Sequence, residues 1–279
     1  MDILKLKQTA NRVRKNIIEA VHAAKSGHPG GSLSAADVLT YLYFEELHID
    51  PQNPEMEERD RFVLSKGHVT PAYYGVLAER GFFPREDLKH FRHTGSYLQG
   101  HPDRKHTPGV DMSSGSLGQG FSVAVGMALS AQLSGRKYRT YALLGDGELE
   151  EGQIWEAAMF AAAQKLNNMA VFLDDNGVQA SGRVREIMEM EPVREKWAAF
   201  GWQIEEIDGH DMAAIQAIVR SFREGGGEKP LFVIAHTHKG HGISFMEDQA
   251  DCHMRNPKGE EWQQVCRDFH ISLEELSLP

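Results

Sequence analysis

The stretch that decides the fold runs from Tyr138 to Asn176 and reads YRTYALLGDGELEEGQIWEAAMFAAAQKLNNMAVFLDDN. Tyr138–Leu144 reads as an apolar strand that ends in Gly145-Asp146-Gly147. Trp155–Lys165 follows as a helix, and Met169–Leu173 is a second apolar strand that ends in Asp174-Asp175-Asn176. A strand, a helix and a strand, with both strands of the fully buried type, make a parallel βαβ unit. The pattern continues with a strand at Gln203–Ile207, a helix at Ala213–Glu224, a Gly225-Gly226-Gly227 break and a strand at Leu231–His236. Such alternation predicts an α/β fold, a doubly wound and mostly parallel sheet with helices on both faces.

Working towards the N-terminus, Leu6, Ala10, Val13, Ile17, Val21 and Ala24 recur at helical steps, with charged residues between them. Ser26-Gly27-His28-Pro29-Gly30-Gly31 ends that helix, and Ser34 is expected to cap a second one reaching about Phe44. Residues 51–60 read as a surface loop, Arg61–Ser65 as a strand leading to Lys66-Gly67-His68, and Pro71–Arg80 as a helix. Residues 93–120 are rich in Gly, His, Pro and Ser without periodicity, a kind of long irregular stretch that is usually functional. Phe121–Leu133 is apolar on nearly every side and reads as a buried helix. No repeat, low-complexity tract or linker divides the chain, so residues 1–279 are expected to form one domain.

The chain has 279 residues, of which 41% are hydrophobic and 25% charged, the balance of a folded globular protein. A formal net charge of −10 argues against a general nucleic-acid binder. Two cysteines, Cys252 and Cys266, make no disulfide framework and suggest a reducing compartment. The charged start after Met1 is unlike a secretory signal, and no apolar run approaches the ~18–20 residues that span a bilayer. The expectation is a cytoplasmic enzyme with no membrane association.

In open parallel sheets, ligands bind beyond the carboxyl ends of the strands. Asp146 and Asn176 lie at two such ends, and the glycines beside Asp146 let the backbone approach a ligand. A carboxylate and an amide oxygen are hard ligands that suit magnesium completed by phosphate oxygens. The helix after Gly147 is expected to offer its amides to the same phosphates. The bland alternative is a pair of polar turns that cap helices. Twenty-eight residues separate Gly147 from Asn176, one helix plus one strand, which sets the two clusters side by side.

Gly145-Asp146-Gly147 followed at this interval by Asp174-Asp175-Asn176 resembles the thiamine-diphosphate-binding motif, and the run from Gly145 to Glu156 narrows the resemblance to transketolase. Ser26-Gly27-His28-Pro29-Gly30, Leu64-Ser65-Lys66-Gly67-His68, Gly100-His101-Pro102, Gly115-Ser116-Leu117-Gly118-Gln119-Gly120 and Val178-Gln179-Ala180-Ser181-Gly182 match in the family's order. The resemblance implies that Asp146, the Asn176 side chain and the main-chain oxygen of Val178 bind magnesium, with calcium or manganese as substitutes. The metal would hold the diphosphate of thiamine diphosphate. Gly115, Ser116, Leu117, Gly145, Gly147, Glu148 and His68 would line the cofactor. His28, His68, His101 and His253 would surround the reacting centre. The family usually has Trp-His-Gly where this chain has Cys252-His253-Met254. Glu151 and Glu156 resemble buried glutamates of the family's dimer interface.

Histidines suit this chemistry, because a two-carbon ketol transfer moves protons on and off sugar hydroxyls near neutral pH. Other motifs carry less. His236-Thr237-His238-Lys239-Gly240-His241 with Cys252 resembles a zinc set but lacks the paired spacings of one. The glycines from Gly115 to Gly120 are in the wrong order for a dinucleotide fingerprint, and no nucleotide-triphosphate loop is present.

Family transketolases have three domains, and this chain matches the first, stopping at Leu278-Pro279. The pyrimidine-binding and C-terminal domains are therefore expected on a separate C-terminal subunit, in a two-plus-two heterotetramer inactive without it. The substrates would be a ketose phosphate donor and an aldose acceptor. Their identity, and whether the pathway is pentose phosphate metabolism or a dedicated catabolic route, lies outside these residues. The alternatives are another thiamine enzyme, such as a 2-oxo acid dehydrogenase α subunit or a deoxyxylulose-phosphate synthase, or a non-catalytic regulatory homologue.

Overall fold

In the computed structural model of the chain, which describes residues 1–225, 227–249 and 251–277, five strands form one all-parallel sheet. The elements in chain order are α1 (Ile3–Ala24), α2 (Pro29–Ser34), α3 (Ala36–Tyr41), β1 (Arg61–Leu64), α4 (Thr70–Arg80), α5 (Gln119–Ser134), β2 (Thr140–Gly145), α6 (Gly152–Ala163) and β3 (Met169–Asp175). A small hairpin of β4 (Val178–Gln179) and β5 (Gly182–Arg183) follows, then α7 (Val184–Ile187), α8 (Val193–Phe200), β6 (Gln203–Asp208), α9 (Met212–Glu224), β7 (Leu231–His236), α10 (Glu261–Phe269) and α11 (Leu273–Ser277). The sheet order is β1-β2-β3-β7-β6. The expected parallel sheet is present, and its strands lie within two residues of their predicted positions.

Alternation along the strands divides the core in two. Tyr141, Leu143, Ala170, Phe172, Leu231 and Val233 pack with α1, α3, α4 and α9 on one face. Ala142, Leu144, Val171, Leu173, Phe232 and Ile234 pack with α5, α6 and α8 on the other. This is the period-two pattern of strands buried on both sides. On the second face the Trp197 and Phe232 rings stack with centroids 3.7 Å apart.

The register places the strand ends. Gly145 lies opposite Asp174, and Asp175 lies opposite His236. The loops after β2, β3 and β7 therefore leave the sheet beside one another.

Three local expectations are corrected. Ser34 is not a helix cap; it ends α2, which begins at Pro29. α1 ends at Ala24 with Lys25 in the left-handed conformation, and Pro29 is well placed as the first residue of the next helix, where its missing N–H costs nothing. The Ser34 hydroxyl instead donates to Asp174 Oδ2 at 2.6 Å. The segment after Gly147 is a 3₁₀ turn, Gly147–Glu150, and α6 starts only at Gly152. Here the Glu148 carboxylate folds back to accept from Gly145 N (3.1 Å) and Gly118 N (2.8 Å), which diverts the chain from a regular helix. Finally, α5 buries only one face; Leu133 is 79% exposed in this single chain, and Met159 and Phe160 of α6 are also exposed. The apolar composition on every side reflects a helix that presents a second greasy face outward.

No helix among the described residues is long and apolar enough to cross a membrane. The Gly226 of the predicted break and the terminal Leu278-Pro279 lie outside the described residues.

Replacing the fully buried Trp197 with alanine removes its stack on Phe232 and is expected to cost about 3–5 kcal/mol, read as a lower urea midpoint with an unchanged slope.

Candidate active site

The loops that end β2, β3 and β7 converge on Asp174. This carboxylate is 1% exposed. It pairs with the Lys66 ammonium, accepts from Ser34 Oγ (2.6 Å) and Asn176 Nδ2 (3.1 Å), and takes a further bond from Thr237 Oγ1. Burial pushes its pKa up, but Lys66 and the surrounding donors outweigh burial and hold it below the usual carboxylate value.

Asp146 sits against this knot. Its Oδ2 accepts from Asn176 N (3.1 Å) and Gly177 N (2.6 Å), and its Oδ1 accepts from Gly147 N (2.7 Å). Asp146 and Asn176 are therefore neighbours. Asn176 Oδ1 accepts from Val178 N at 3.2 Å, and the Val178 carbonyl oxygen accepts from the Lys239 ammonium. Burial pushes the Asp146 carboxyl up to about 6, against the pull of Lys239 and Lys66. Burial also brings Lys239 down to about 8, helped by repulsion from Lys66 and opposed by Asp146. The three oxygens assigned to a metal, from Asp146, Asn176 and Val178, thus lie together, and one of them already holds a cation.

Glu148, buried to 2% exposure, also accepts from Ser65 Oγ at 2.5 Å. With its bonds to Gly118 N and Gly145 N it ties the turn after β2 to β1 and to the start of α5. It lines the cavity, but its oxygens are committed to the scaffold. Gly67 is required by close approach: a Cβ there would lie 2.7 Å from Ser114 Oγ and 2.8 Å from Gly115 N. Gly115, Ser116 and Leu117 follow in the irregular 93–118 stretch, with Leu117 on the cavity wall and Ser116 exposed.

Three histidines close the other side. His28 and His68 have ring centroids 5.0 Å apart, His68 and His253 5.0 Å, and His28 and His253 5.3 Å. They come from the start of α2, the loop after β1 and the loop before α10. Burial brings His28 down to about 4 and His253 to about 3, and drives His68 well below the usual value, each aided by nearby cations. All three are neutral imidazoles at pH 7. Lys239 Nζ lies 2.9 Å from His253 Nδ1; an ammonium only donates, so His253 carries its proton on Nε2. His101 is more exposed and packs its ring beside Gly115, where a Cβ would come within 3.1 Å of it. Burial and Arg92 lower its pKa. A cavity of about 130 Å³ lies between the histidines and the Asp146–Asn176 pair.

The zinc-like set does not assemble. His236 Nδ1 pairs with Asp175 at 2.8 Å and His238 Nδ1 with Asp248 at 2.7 Å. His241 stacks on His210 at 3.7 Å, while Cys252 packs against Gly30. Among the described residues, the one close group of three or more His, Cys, Asp or Glu side chains is Asp37, His210 and His241. There Asp37 is paired with Arg14, and both nitrogens of His210 are engaged, one by Asp37 and one by His238 N.

Residues 5–275 match the family described as transketolase, thiamine diphosphate binding domain. The chain belongs to the transketolase family. It is 45% identical over 258 residues to the 6-deoxy-6-sulfo-D-fructose transketolase subunit of a Clostridium species, covering 92% of this chain and 94% of that one. It is 41% identical over 278 residues to one of the apulose-4-phosphate transketolase subunits of Phocaeicola vulgatus, covering 99% and 98%. Against human transketolase it is 38% identical, over 96% of this chain but only 42% of that protein. The solved transketolase of Campylobacter jejuni superposes with a TM-score of 0.91 at 32% identity, over 98% of this chain and 44% of the other.

Thiamine diphosphate fits this transketolase site on the chain's own features. A diphosphate with its metal needs oxygen ligands and cations close together, and here Asp146, Asn176 and Val178 line one cavity with Lys66 and Lys239. The resemblance places Lys239-Gly240 in a loop over the cofactor, but the motifs mark no role for Lys66 and do not single out Asp174 as a ligand neighbour. The available signal was the position of Lys66 and Thr237 just past strands whose ends converge. Glu151 and Glu156 are both exposed on the single chain, on the segment that carries Met159 and Phe160.

Lys66→Met leaves the buried Asp174 carboxylate without its counter-ion. It is expected to cost about 3–5 kcal/mol in denaturant unfolding, whereas Lys66→Met with Asp174→Asn recovers most of that loss.

Proposed function

We propose that this chain is the diphosphate-binding subunit of a two-chain transketolase that moves a two-carbon ketol unit from a ketose phosphate, or a similarly anionic ketose, to an aldose. One observation carries the reading: Asp146, Asn176 and Val178 share a cavity with His68 and His253, and the His28 ring lies 5.0 Å behind His68. Its support from relatives is that the chain spans nearly all of two proteins named as transketolase subunits, and under half of human transketolase. Those two are named for 6-deoxy-6-sulfo-D-fructose and apulose-4-phosphate, both ketoses with an anionic end.

Asp146, Asn176 Oδ1 and the Val178 carbonyl would hold magnesium, a hard ion that prefers oxygen ligands. Lys66 and Lys239 balance the charge of the diphosphate. Thiamine diphosphate, when bound, supplies the electron sink for cleaving a carbon–carbon bond beside a ketone. The chain's own residues bind, orient and handle protons. His28, His68 and His253 hydrogen-bond the sugar oxygens and orient them, with His101 at the rim. Neutral imidazoles can do this without the repulsion that imidazolium ions would feel beside two lysines.

The partner is a separate C-terminal transketolase subunit that carries the pyrimidine-binding domain. The outer faces of α5 and α6, with Leu133, Met159 and Phe160 exposed and Glu151 and Glu156 alongside, are the surface proposed for assembly as a cytoplasmic two-plus-two heterotetramer.

The purified chain with thiamine diphosphate and magnesium is expected to be inactive, and a coupled assay is expected to show ketol transfer once the partner is added. Robust activity of the chain alone, or activity of the pair with pyruvate but with no ketose, refutes the proposal.

Cation affinity is expected to depend on Asp146. Its folded pKa of about 6 lies above its ordinary value of 3.8, so protons compete with the metal as pH falls through 6. Below that point magnesium affinity should drop about tenfold per pH unit, measured by calorimetry, and Asp146→Asn should abolish cofactor binding at any pH. By the same linkage, the unloaded chain binds more protons folded than unfolded between pH 4 and 6, so this carboxyl destabilises the fold as pH rises through that window.

A further inference from the structure

Among the described residues, Arg92 is a cation with no anionic partner. Its guanidinium is half-buried, burial lowers its pKa, and no neighbouring acid offsets that burial. Its Nε is buried and has no hydrogen-bond partner among the described residues. Its backbone takes the left-handed conformation, with φ at 60°, an uncommon choice for a long side chain. The loop is shaped around it: a Cβ on Gly100 would lie 2.9 Å from Arg92 Nε. Arrangements that hold a residue in an unfavourable conformation tend to mark functional positions.

The contacts show what is held. Arg92 Nη1 donates to Ser26 Oγ at 2.5 Å, and Nη2 faces His28 Nδ1 at 3.5 Å. Ser26 and His28 belong to one turn, so the arginine grips both ends of it. A guanidinium has donors and no acceptor. The nitrogen of His28 that faces it must therefore present its lone pair, and the single ring proton of the neutral form resides on the other nitrogen.

We propose that Arg92 is a positioning residue that fixes His28 as a neutral imidazole with its proton on Nε2, so that His28 serves as a hydrogen-bond donor to substrate oxygen and not as a general base. The meaning for catalysis rests on the transketolase reading above; the tautomer does not. The charged and titratable groups around His28 are Arg92 and His101 from the 91–101 loop, His68 after β1, Lys239 after β7 and His253 before α10. None is an acid, so nothing on any side favours an imidazolium. The His253 ring, 5.3 Å from His28, is set in the same way by Lys239, so two neighbouring histidines have matching tautomers held by two different cations. Catalytic use of a neutral imidazole as a donor needs such a cationic or dipolar neighbour to keep the ring from charging.

The test is ¹⁵N nuclear magnetic resonance of the full-length chain with labelled histidine, His28 being assigned by its loss in His28→Gln. The unsubstituted chain is expected to show the Nε2–H pattern at His28 and no protonation down to pH 5. Arg92→Met should leave a mixture of both tautomers and raise the proton affinity of His28 about tenfold, equal to 1.36 kcal/mol. Arg92→Lys retains a cationic donor and should keep the Nε2–H pattern, with the proton affinity within about threefold of the original. A His28 signal in Arg92→Met identical to that of the unsubstituted chain overturns the proposal, and so does an Nδ1–H pattern in Arg92→Lys. Equal disturbance of His68 and His253 in Arg92→Met would show general loosening of the loop and also overturns it. These readings need no partner and no turnover, so failure of ketol transfer in the assembled enzyme would leave them standing.

Discussion

The structure turns on one buried ion pair. Lys66 and Asp174 are each almost fully enclosed, and a charge removed from water is tolerated only when its partner and its hydrogen bonds are in place. Satisfying Asp174 requires Lys66 from the end of β1, Ser34 from α2, Asn176 from its own loop and Thr237 from the end of β7. Four separate segments of the chain are therefore pinned within hydrogen-bond distance of one carboxylate. Asp146 then finds its amides, because the loop that carries Asn176 and Gly177 is already fixed.

This arrangement explains why the site is both polar and buried. The sheet brings strand ends together by register alone, but register leaves the loops free. Electrostatics closes them, with Lys66 and Lys239 on one side and Asp146 and Asp174 on the other. Burial, aided by the nearby cations, keeps the histidines neutral. One set of charges thus orders the loops and helps to tune the imidazoles.

Much of this was legible in the residues. The strand from Met169 and the strand from Leu231 stood out because continuous apolar runs between breakers have few other readings, and Asp146 and Asn176 stood out because polar residues at the ends of such strands face a common edge. The histidines of Ser26–Gly30, Lys66–His68 and Gly100–Pro102 were marked by glycine and proline neighbours. What misled was local: Ser34 looked like a cap because small hydroxyl residues usually are, yet its hydroxyl is claimed by an aspartate 140 positions away. The continuous apolar character of α5 looked like full burial, yet half of it is open in the single chain.

The sequence by itself determined the sheet, the two cores and the chemistry gathered at the strand ends, since periodicity and residue type act over short distances and need no partner to be read. Only the tertiary structure decided who neutralises whom. That Lys66 belongs to Asp174, that Lys239 reaches both Val178 and His253, and that Arg92 faces His28 with no acid beside it are matters of distance and burial. Coulomb energies and desolvation depend on where a charge ends up in space, and no spacing along the chain records that.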